Sequence, residues 1–279
     1  MTNRTTDRAA CMRVRAAFFA LLGCLALLVL PATSQAIIIR HDKADSRYRV
    51  DETRYPQLFF LHQGYGNKRC MGTLVSPHWA ITAAHCARET PMADTLARQE
   101  AYTVNIARRT YQVTQLEMHP QSNTGDQMRD VDLALLRLDR DVEGVVPVLI
   151  NHDIHEVHQV LSLLGWGFTG IGTLGLRNND GHFRRAENRV EEAGQWLTFR
   201  FDDPREIGNQ ALDLEGIPSL GDSGGPALLE TEDGLVLMGI ALGELEEGES
   251  PPVQGLYGTI QLYERVSSHL DWIRQVIAE

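Results

Sequence analysis

The sequence has little of what marks several large classes of protein. Basic residues are few, because 26 Lys and Arg stand against 37 Asp and Glu and give a formal net charge of −11. This acidity argues against a nucleic-acid-binding protein, since binding to phosphates needs a basic surface. No run of about 20 apolar residues occurs beyond the N-terminus, which excludes a polytopic membrane protein. The chain also lacks internal repeats and low-complexity linkers.

The residues that are present favour a folded protein made mostly of β-strands. A hydrophobic fraction of 43% excludes a disordered chain, and 24 glycines with 11 prolines indicate many turns. Short apolar runs between turn residues are typical of strands. They lie at 58–61, 73–76, 79–83, 111–116, 133–138, 160–164, 196–201, 227–229 and 235–241. Many short strands of this kind predict sandwiches or barrels.

The C-terminal segment has a different, helical pattern. Its apolar residues recur on one helix face, at Leu270, Ile273, Val276 and Ile277. A serine at 268 followed by an aspartate at 271 predicts a capping box at the start of this helix.

Residues 1–36 have the layout of a secretory signal peptide. Basic residues precede an apolar run at 16–30, and Ser34-Gln35-Ala36 offers small residues before a cleavage point. An uncleaved anchor is the main alternative, but the run is short for a membrane span of about 20 residues. A lipoprotein site at Cys24 fits poorly, because six apolar residues follow it. Cleavage after Ala36 removes a net charge of +3 (four Arg, one Asp) and leaves −14.

Cysteine is also scarce, and its distribution carries information. Of four cysteines, two belong to the predicted signal peptide, so Cys70 and Cys86 alone remain in the exported chain. An even pair in an exported protein predicts a disulfide, and two buried free thiols are the alternative.

Three segments carry residues that suit nucleophilic catalysis. His85 ends the apolar segment Ile-Thr-Ala-Ala-His-Cys, and histidine is the side chain best suited to accept a proton near neutral pH. Asp132 begins an apolar run, where a buried carboxylate needs a partner such as an imidazole N–H. Ser223 lies in Gly-Asp-Ser-Gly-Gly-Pro, whose glycines let backbone N–H groups converge on an oxyanion. Taken singly, each residue also has a structural explanation: a core histidine, a turn cap and a glycine-rich hairpin.

Together the three segments resemble those of trypsin-like (chymotrypsin-fold) serine proteases, in a secreted, bacterial-type form. The order His, Asp, Ser matches, as do separations of 47 and 91 residues. The similarity extends from about residue 55 to the end of the chain. Further landmarks are the cysteine pair beside the histidine, Met118-His119-Pro120, Gly165-Trp166-Gly167 and Trp272-Ile273.

The resemblance implies an all-β fold of two packed antiparallel six-stranded β-barrels with a C-terminal α-helix. Residues 37–150 would form the N-terminal barrel with His85 and Asp132, and residues 151–279 the C-terminal barrel with Ser223 and the helix. Ser223 would attack a peptide carbonyl, His85 would relay the proton, and Asp132 would orient His85. The backbone N–H groups of Gly221 and Ser223 would bind the oxyanion. No cofactor or metal is implied.

The implied function is a secreted serine endopeptidase that acts through an acyl-enzyme. Its partner would be a polypeptide substrate, and we expect a monomer in the periplasm or outside the cell. We expect neither nucleic-acid binding nor stable membrane association after signal cleavage. A protease-like binding module without turnover is the alternative.

Two regions depart from the family pattern. By the resemblance, Asp222 would form an activating ion pair with the α-amine of Ile37, but the glycines expected after the first two residues are missing. The specificity pocket would have Ile217 at its floor, with Leu220 and Leu242-Gly243-Glu244 along the substrate. Ser219 stands where a cysteine is usual, and Gln261 falls at a pocket-wall glycine. The altered pocket wall is the best argument for the binding-module alternative, whereas the complete set of His85, Asp132 and Ser223 favours the enzyme. The preferred substrate side chain stays open.

Overall fold

The computed structural model describes residues 37–64, 67–122, 130–245 and 253–278. The predicted signal peptide at 1–36 lies outside the described residues. The strands are β1 Ile37–Ile39, β2 Leu58–Gly64, β3 Asn67–Ser76, β4 Trp79–Thr82, β5 Tyr102–Ile106, β6 Arg109–Met118, β7 Ala134–Leu138, β8 Leu149–Ile150, β9 Val160–Gly165, β10 Thr169–Ile171, β11 Gly175–Asn178, β12 Arg184–Ala193, β13 Trp196–Arg200, β14 Gly216–Ile217, β15 Pro226–Thr231, β16 Gly234–Glu244 and β17 Ile260–Arg265. The α-helices are α1 Ala84–Glu89, α2 Met92–Ala97 and α3 Leu270–Ile277.

The first barrel is an antiparallel six-stranded sheet in the order β2-β3-β4-β7-β6-β5. Its ends meet where β5 lies beside β2 and the Tyr102 hydroxyl donates to the Leu61 carbonyl at 2.6 Å. Residues alternate between core and solvent along β5, as expected for a strand with one buried face. In β4 all four residues are buried, with Trp79 and Ile81 fully enclosed.

The second barrel contains six antiparallel strands in the order β15-β9-β12-β13-β17-β16. It closes because β15 pairs with both β9 and β16. The short strand β8 extends this sheet by pairing in parallel with β16. The expected fold of two six-stranded barrels and a C-terminal helix is confirmed.

The N-terminal strand β1 pairs outside the first barrel. It runs parallel to β10 and antiparallel to β14, in a four-stranded sheet with β11. The sequence analysis assigned residues 37–150 to the N-terminal barrel, whereas β1 and β8 pair with strands of the second half. The three isoleucines of β1 are at most 2% exposed. Both faces of this strand are therefore packed against the protein interior.

The C-terminal helix α3 buries Ile273 and Val276, in agreement with the predicted face. The predicted capping box is wrong. A 3₁₀ turn at Val266–His269 already includes Ser268, so His269 occupies the N-cap and no side chain caps the helix. Among the helices in the described ranges, none is long and apolar enough to span a lipid bilayer.

Candidate active site

His85 and Asp132 meet because the strands beside them are paired. β4 ends at Thr82 and leads into α1, whose second residue is His85, while Asp132 lies just before β7. The β4–β7 register sets Thr82 opposite Ala134. Nδ1 of His85 lies 2.5 Å from Oδ2 of Asp132, and the His85 backbone N–H donates to Oδ1 at 2.7 Å. Both atoms of one carboxylate therefore hold this histidine in place.

The pair shifts the pKa of both partners toward their charged forms. Burial lowers the pKa of His85, but the hydrogen bond and the negative charge of Asp132 outweigh it, and the net pKa is raised. Burial raises the pKa of Asp132, but hydrogen bonds from His85 and the charges of His85 and Arg88 outweigh it, and the net pKa is lowered. The arrangement therefore stabilises an imidazolium beside a carboxylate.

Ser223 lies in the turn that precedes β15, against the strands that lead to His85. Its carbonyl accepts from the Met71 N–H at 2.8 Å, and the Gly221 carbonyl accepts from the Cys70 N–H at 3.0 Å. Gly224 has φ +75°, and a Cβ there would lie 2.4 Å from Thr82 Oγ1. This close approach requires glycine and brings the serine turn against the end of β4.

The histidine nitrogen that would face the serine has a sulfur neighbour. Nε2 of His85 lies 3.6 Å from Sγ of Cys86. Within the described ranges, the hydrogen bonds do not include one from Ser223 Oγ to His85. Such bonds are often long in a free enzyme and tighten when substrate binds.

Two backbone N–H groups at the serine turn are available to bind an anion. Within the described part of the chain, the N–H groups of Gly221 and Ser223 have no backbone acceptor. Gly221 has φ +98°, which favours glycine at this turn. These are the two donors that the sequence analysis assigned to an oxyanion.

The predicted disulfide between Cys70 and Cys86 is confirmed, with an S–S distance of 2.05 Å. It joins β3 to α1 beside His85. The two sulfurs and a nitrogen of His85 lie within 4.8 Å of one another. Cysteine binds metal as a thiolate, so sulfurs joined in a disulfide do not supply such ligands.

Asp222, next to Ser223, is fully buried, and no described residue forms a direct ion pair with it, although the charge of Arg184 acts on it from a distance. Its Oδ1 accepts from the Gly167 N–H at 2.6 Å, and its Oδ2 accepts from the N–H and hydroxyl of Ser219 at 3.1 and 3.3 Å. Burial raises the pKa of Asp222 to about 7. Ile37, its predicted ion-pair partner, is fully buried in β1, where its carbonyl accepts from the Thr169 hydroxyl at 2.6 Å.

A cavity of about 160 Å³ adjoins Ser223. Four residues predicted to contact substrate line it, namely Leu220, Leu242, Gly243 and Glu244. The other lining residues are Pro218, Ser219, Ala241, Gln254 and Gln261. Ile217, predicted at the pocket floor, is not among these lining residues. It is fully buried and packs in a cluster with Ile38 and Phe201.

Sequence reasoning missed the residues that surround Asp132. Glu264 is fully buried, and its Oε2 accepts from the Asp132 N–H at 3.2 Å. Its Oε1 lies 3.0 Å from Nε2 of His269. Arg88 Nη2 lies 3.7 Å from Oδ1 of Asp132. Glu264 directly follows the apolar pair Leu262-Tyr263 in β17, but this spacing does not indicate a buried carboxylate, because successive strand residues face opposite sides.

Two closed antiparallel barrels, with a histidine–aspartate pair and a glycine-flanked serine brought toward each other, define a fold typical of trypsin-like serine proteases. Residues 48–273 match the family model described as Trypsin. The chain therefore belongs to the trypsin family, whose members are in general serine endopeptidases that act on polypeptides. The bacterial-type assignment stays a prediction.

Proposed function

We propose that this chain is an exported serine endopeptidase that hydrolyses peptide bonds through Ser223, His85 and Asp132. The observation that carries the proposal is the double hydrogen bond between His85 and Asp132, formed 47 residues apart in sequence. A carboxylate that accepts from Nδ1 leaves Nε2 as the proton acceptor, which is the tautomer a general base needs.

The geometry supports a two-step acyl transfer. Ser223 Oγ attacks the scissile carbonyl while Nε2 of His85 takes its proton, and the carbonyl oxygen becomes an oxyanion. The N–H groups of Gly221 and Ser223 stabilise that charge, each by about 3–4 kcal/mol in comparable sites. His85 then gives the proton to the leaving amine, and water repeats the sequence on the acyl-enzyme. Asp132 stays ionised and stabilises the imidazolium throughout.

The substrate would lie along the end of β16. Leu242, Gly243 and Glu244 line the cavity beside Ser223, and the side chain of the residue under attack would enter that cavity. Leu220 is 56% exposed at its mouth. An extended peptide matches this edge because strand-like backbone can pair with backbone.

Activation would depend on the start of the mature chain. Signal cleavage after Ala36 would expose the α-amine of Ile37, and this amine would supply the direct ion-pair partner that Asp222 does not have among the described residues. An ion pair there would order the turn that carries Gly221 and Ser223. No separate propeptide would then be required.

The test is hydrolysis by the mature chain starting at Ile37 and by its Ser223→Ala variant. We expect the variant to lose about 10⁴-fold or more in kcat/KM, because the attacking oxygen is removed. Ser268→Ala, at an exposed serine of the C-terminal turn, serves as the control and should keep full activity. A fluorophosphonate probe should label the mature chain at Ser223. Undiminished turnover by Ser223→Ala would refute the assignment.

A further inference from the structure

The cavity beside Ser223 has one buried polar side chain without a hydrogen-bond partner. Gln261 on β17 is 2% exposed and lines the cavity. None of the described residues donates to or accepts from its carboxamide. The Ser219 hydroxyl on the same lining, by contrast, is bonded to the Phe168 carbonyl and to Asp222. The carboxamide of Gln261 opens onto the cavity and is not among the fully enclosed polar atoms of the described residues. A ligand that fills the cavity therefore has to supply hydrogen bonds to this carboxamide, because enclosing it without a partner is costly.

The surroundings of Gln261 restrict the chemistry of that ligand. Gln261 is paired directly with Glu244 across β16 and β17, so both side chains lie on one face of the sheet. No lysine or arginine lines the cavity within the described ranges. Leu220, Ala241 and Leu242 make the remaining walls largely apolar.

We infer that Gln261 determines specificity and that the cavity receives a neutral carboxamide side chain, glutamine or asparagine, from the residue whose carbonyl is attacked. The inference rests on the proposed function. A carboxamide offers one donor group and one acceptor, and a substrate amide can satisfy both at once. An apolar side chain leaves Gln261 buried and unpaired.

Charged substrate side chains fit less well. An acidic side chain meets the negative charge of Glu244 on the same face. A basic side chain has donors alone, so the NH₂ group of Gln261 stays without an acceptor. A basic group also gives up its hydration, and Gln261 offers it no charge in return. Glu244 on the same face is the acidic group that could attract it, and the Glu244→Gln variant below tests that case.

The experiment compares peptides that differ solely in the residue before the cleaved bond. The mature chain starting at Ile37 is assayed with Gln, Asn, Leu, Met, Lys and Glu at that position. We expect kcat/KM for Gln to exceed that for Leu and Met by about tenfold or more, since a site built to hydrogen-bond rejects an isostere that cannot. Equal values for Gln and Leu would overturn the inference.

Two variants assign the preference to Gln261. Gln261→Leu should remove the advantage of Gln over Leu, and Gln261→Glu should move the preference to Lys. Gln112→Leu, an exposed glutamine of β6 in the first barrel, is the matched control and should keep the wild-type ratio. A preference of the wild type for Lys that Glu244→Gln abolishes would assign specificity to Glu244 and contradict the inference.

Fluorophosphonate labelling distinguishes a failure of the inference from a failure of the proposed function. Labelling at Ser223, with cleavage whose preference does not change in Gln261→Leu, refutes the inference and leaves the proposed function standing. If the mature chain shows no labelling and no cleavage, the proposed function is refuted, and the inference is refuted with it. Labelling of each variant also checks that its site is folded.

Discussion

The ionisation of one residue, His85, sets the pH at which the proposed chemistry can proceed. A base must be unprotonated to accept the serine proton, and Asp132 outweighs burial to raise the pKa of His85. We therefore expect kcat/KM to fall on the acid side as pH drops through this raised pKa, above the ordinary histidine value of about 6.5. The rate is constant above that pKa until another group titrates.

Asp132→Asn tests this dependence. The amide carries no charge and can donate to Nδ1, which favours the wrong tautomer, so we expect kcat to fall by about 10⁴-fold. The acid limb of the pH–rate profile should also move to lower pH. Asp271→Asn, at an exposed position in α3, is the control. An unchanged acid limb in Asp132→Asn would show that another group controls it.

We predict that Glu264 positions His85 through Asp132, because it contacts the Asp132 backbone. It accepts from the Asp132 N–H and lies beside His269, while its own carboxylate is buried. Glu264→Ala leaves that N–H without a partner, so we expect kcat to fall about tenfold with KM unchanged. Glu264→Gln keeps an acceptor and should recover most of the loss. A rise in KM at constant kcat would instead place Glu264 in substrate binding.

The strands that sequence could predict were those with continuous apolar residues. The runs at 79–83 and 160–164 coincide with β4 and β9, because both strands are buried on nearly all sides. β12 was missed because Arg184 and Asn188 occupy inward positions that usually hold apolar residues. Arg184 is fully buried yet paired with Asp45 and Asp180 at 2.7 and 2.9 Å. Asp180 lies four residues before Arg184, but Asp45 is 139 residues away, and sequence spacing carries no record of such a distant partner.

One glycine of β9 shapes the site by its lack of a side chain. A Cβ at Gly165 would lie 1.9 Å from Oδ1 of Asp222. Gly165→Ala therefore has to displace Asp222 or β9, and we expect a loss of about 1–3 kcal/mol, or about 2–4 °C in Tm for each kcal/mol. Hydrolysis should fall as well, because Asp222 adjoins Ser223.

Gly194→Ala, in the turn between β12 and β13, is the matched glycine control. Nothing lies within 4 Å of a Cβ at Gly194. Thermal melts of both variants, with activity measured beside them, check the prediction. Equal Tm values for the two variants would mean that the Asp222 carboxylate moves at little cost.

At the scale of the whole molecule, the candidate site depends on bonds between the two barrels. Cys70 and Met71 of the first barrel bind the serine turn, and Glu264 of the second barrel binds Asp132 of the first. The sequence indicated His85, Asp132 and Ser223 because each lies in a short segment typical of the family. It could not indicate that Ile217 packs against Ile38 and Phe201, because that depends on how β14 pairs with β1.

The N-terminal segment connects stability to pH across the whole molecule. The pKa of Asp222, about 7, lies above the value of about 3.9 in an unfolded chain. The folded chain therefore holds a proton that the unfolded chain loses, and the free energy of unfolding falls as pH rises from about 4 to 7. A free amine at Ile37 would hold Asp222 ionised and remove that loss. Glu215, whose pKa burial also raises to about 7, is present whether or not that amine is free.

The role of the free amine can be tested by comparing the chain that starts at Ile37 with the same chain carrying one extra Met before it. Both have one N-terminal amine, but the extra residue displaces it from Asp222. We expect the Tm of the Ile37 form to exceed that of the extended form by an amount that grows between pH 4 and pH 7, together with higher activity at pH 8. Because Glu215 and every other group are common to both proteins, their contributions cancel in the difference. An extended form with equal activity and a Tm difference independent of pH would show that hydrogen bonds from Gly167 and Ser219 suffice to hold Asp222.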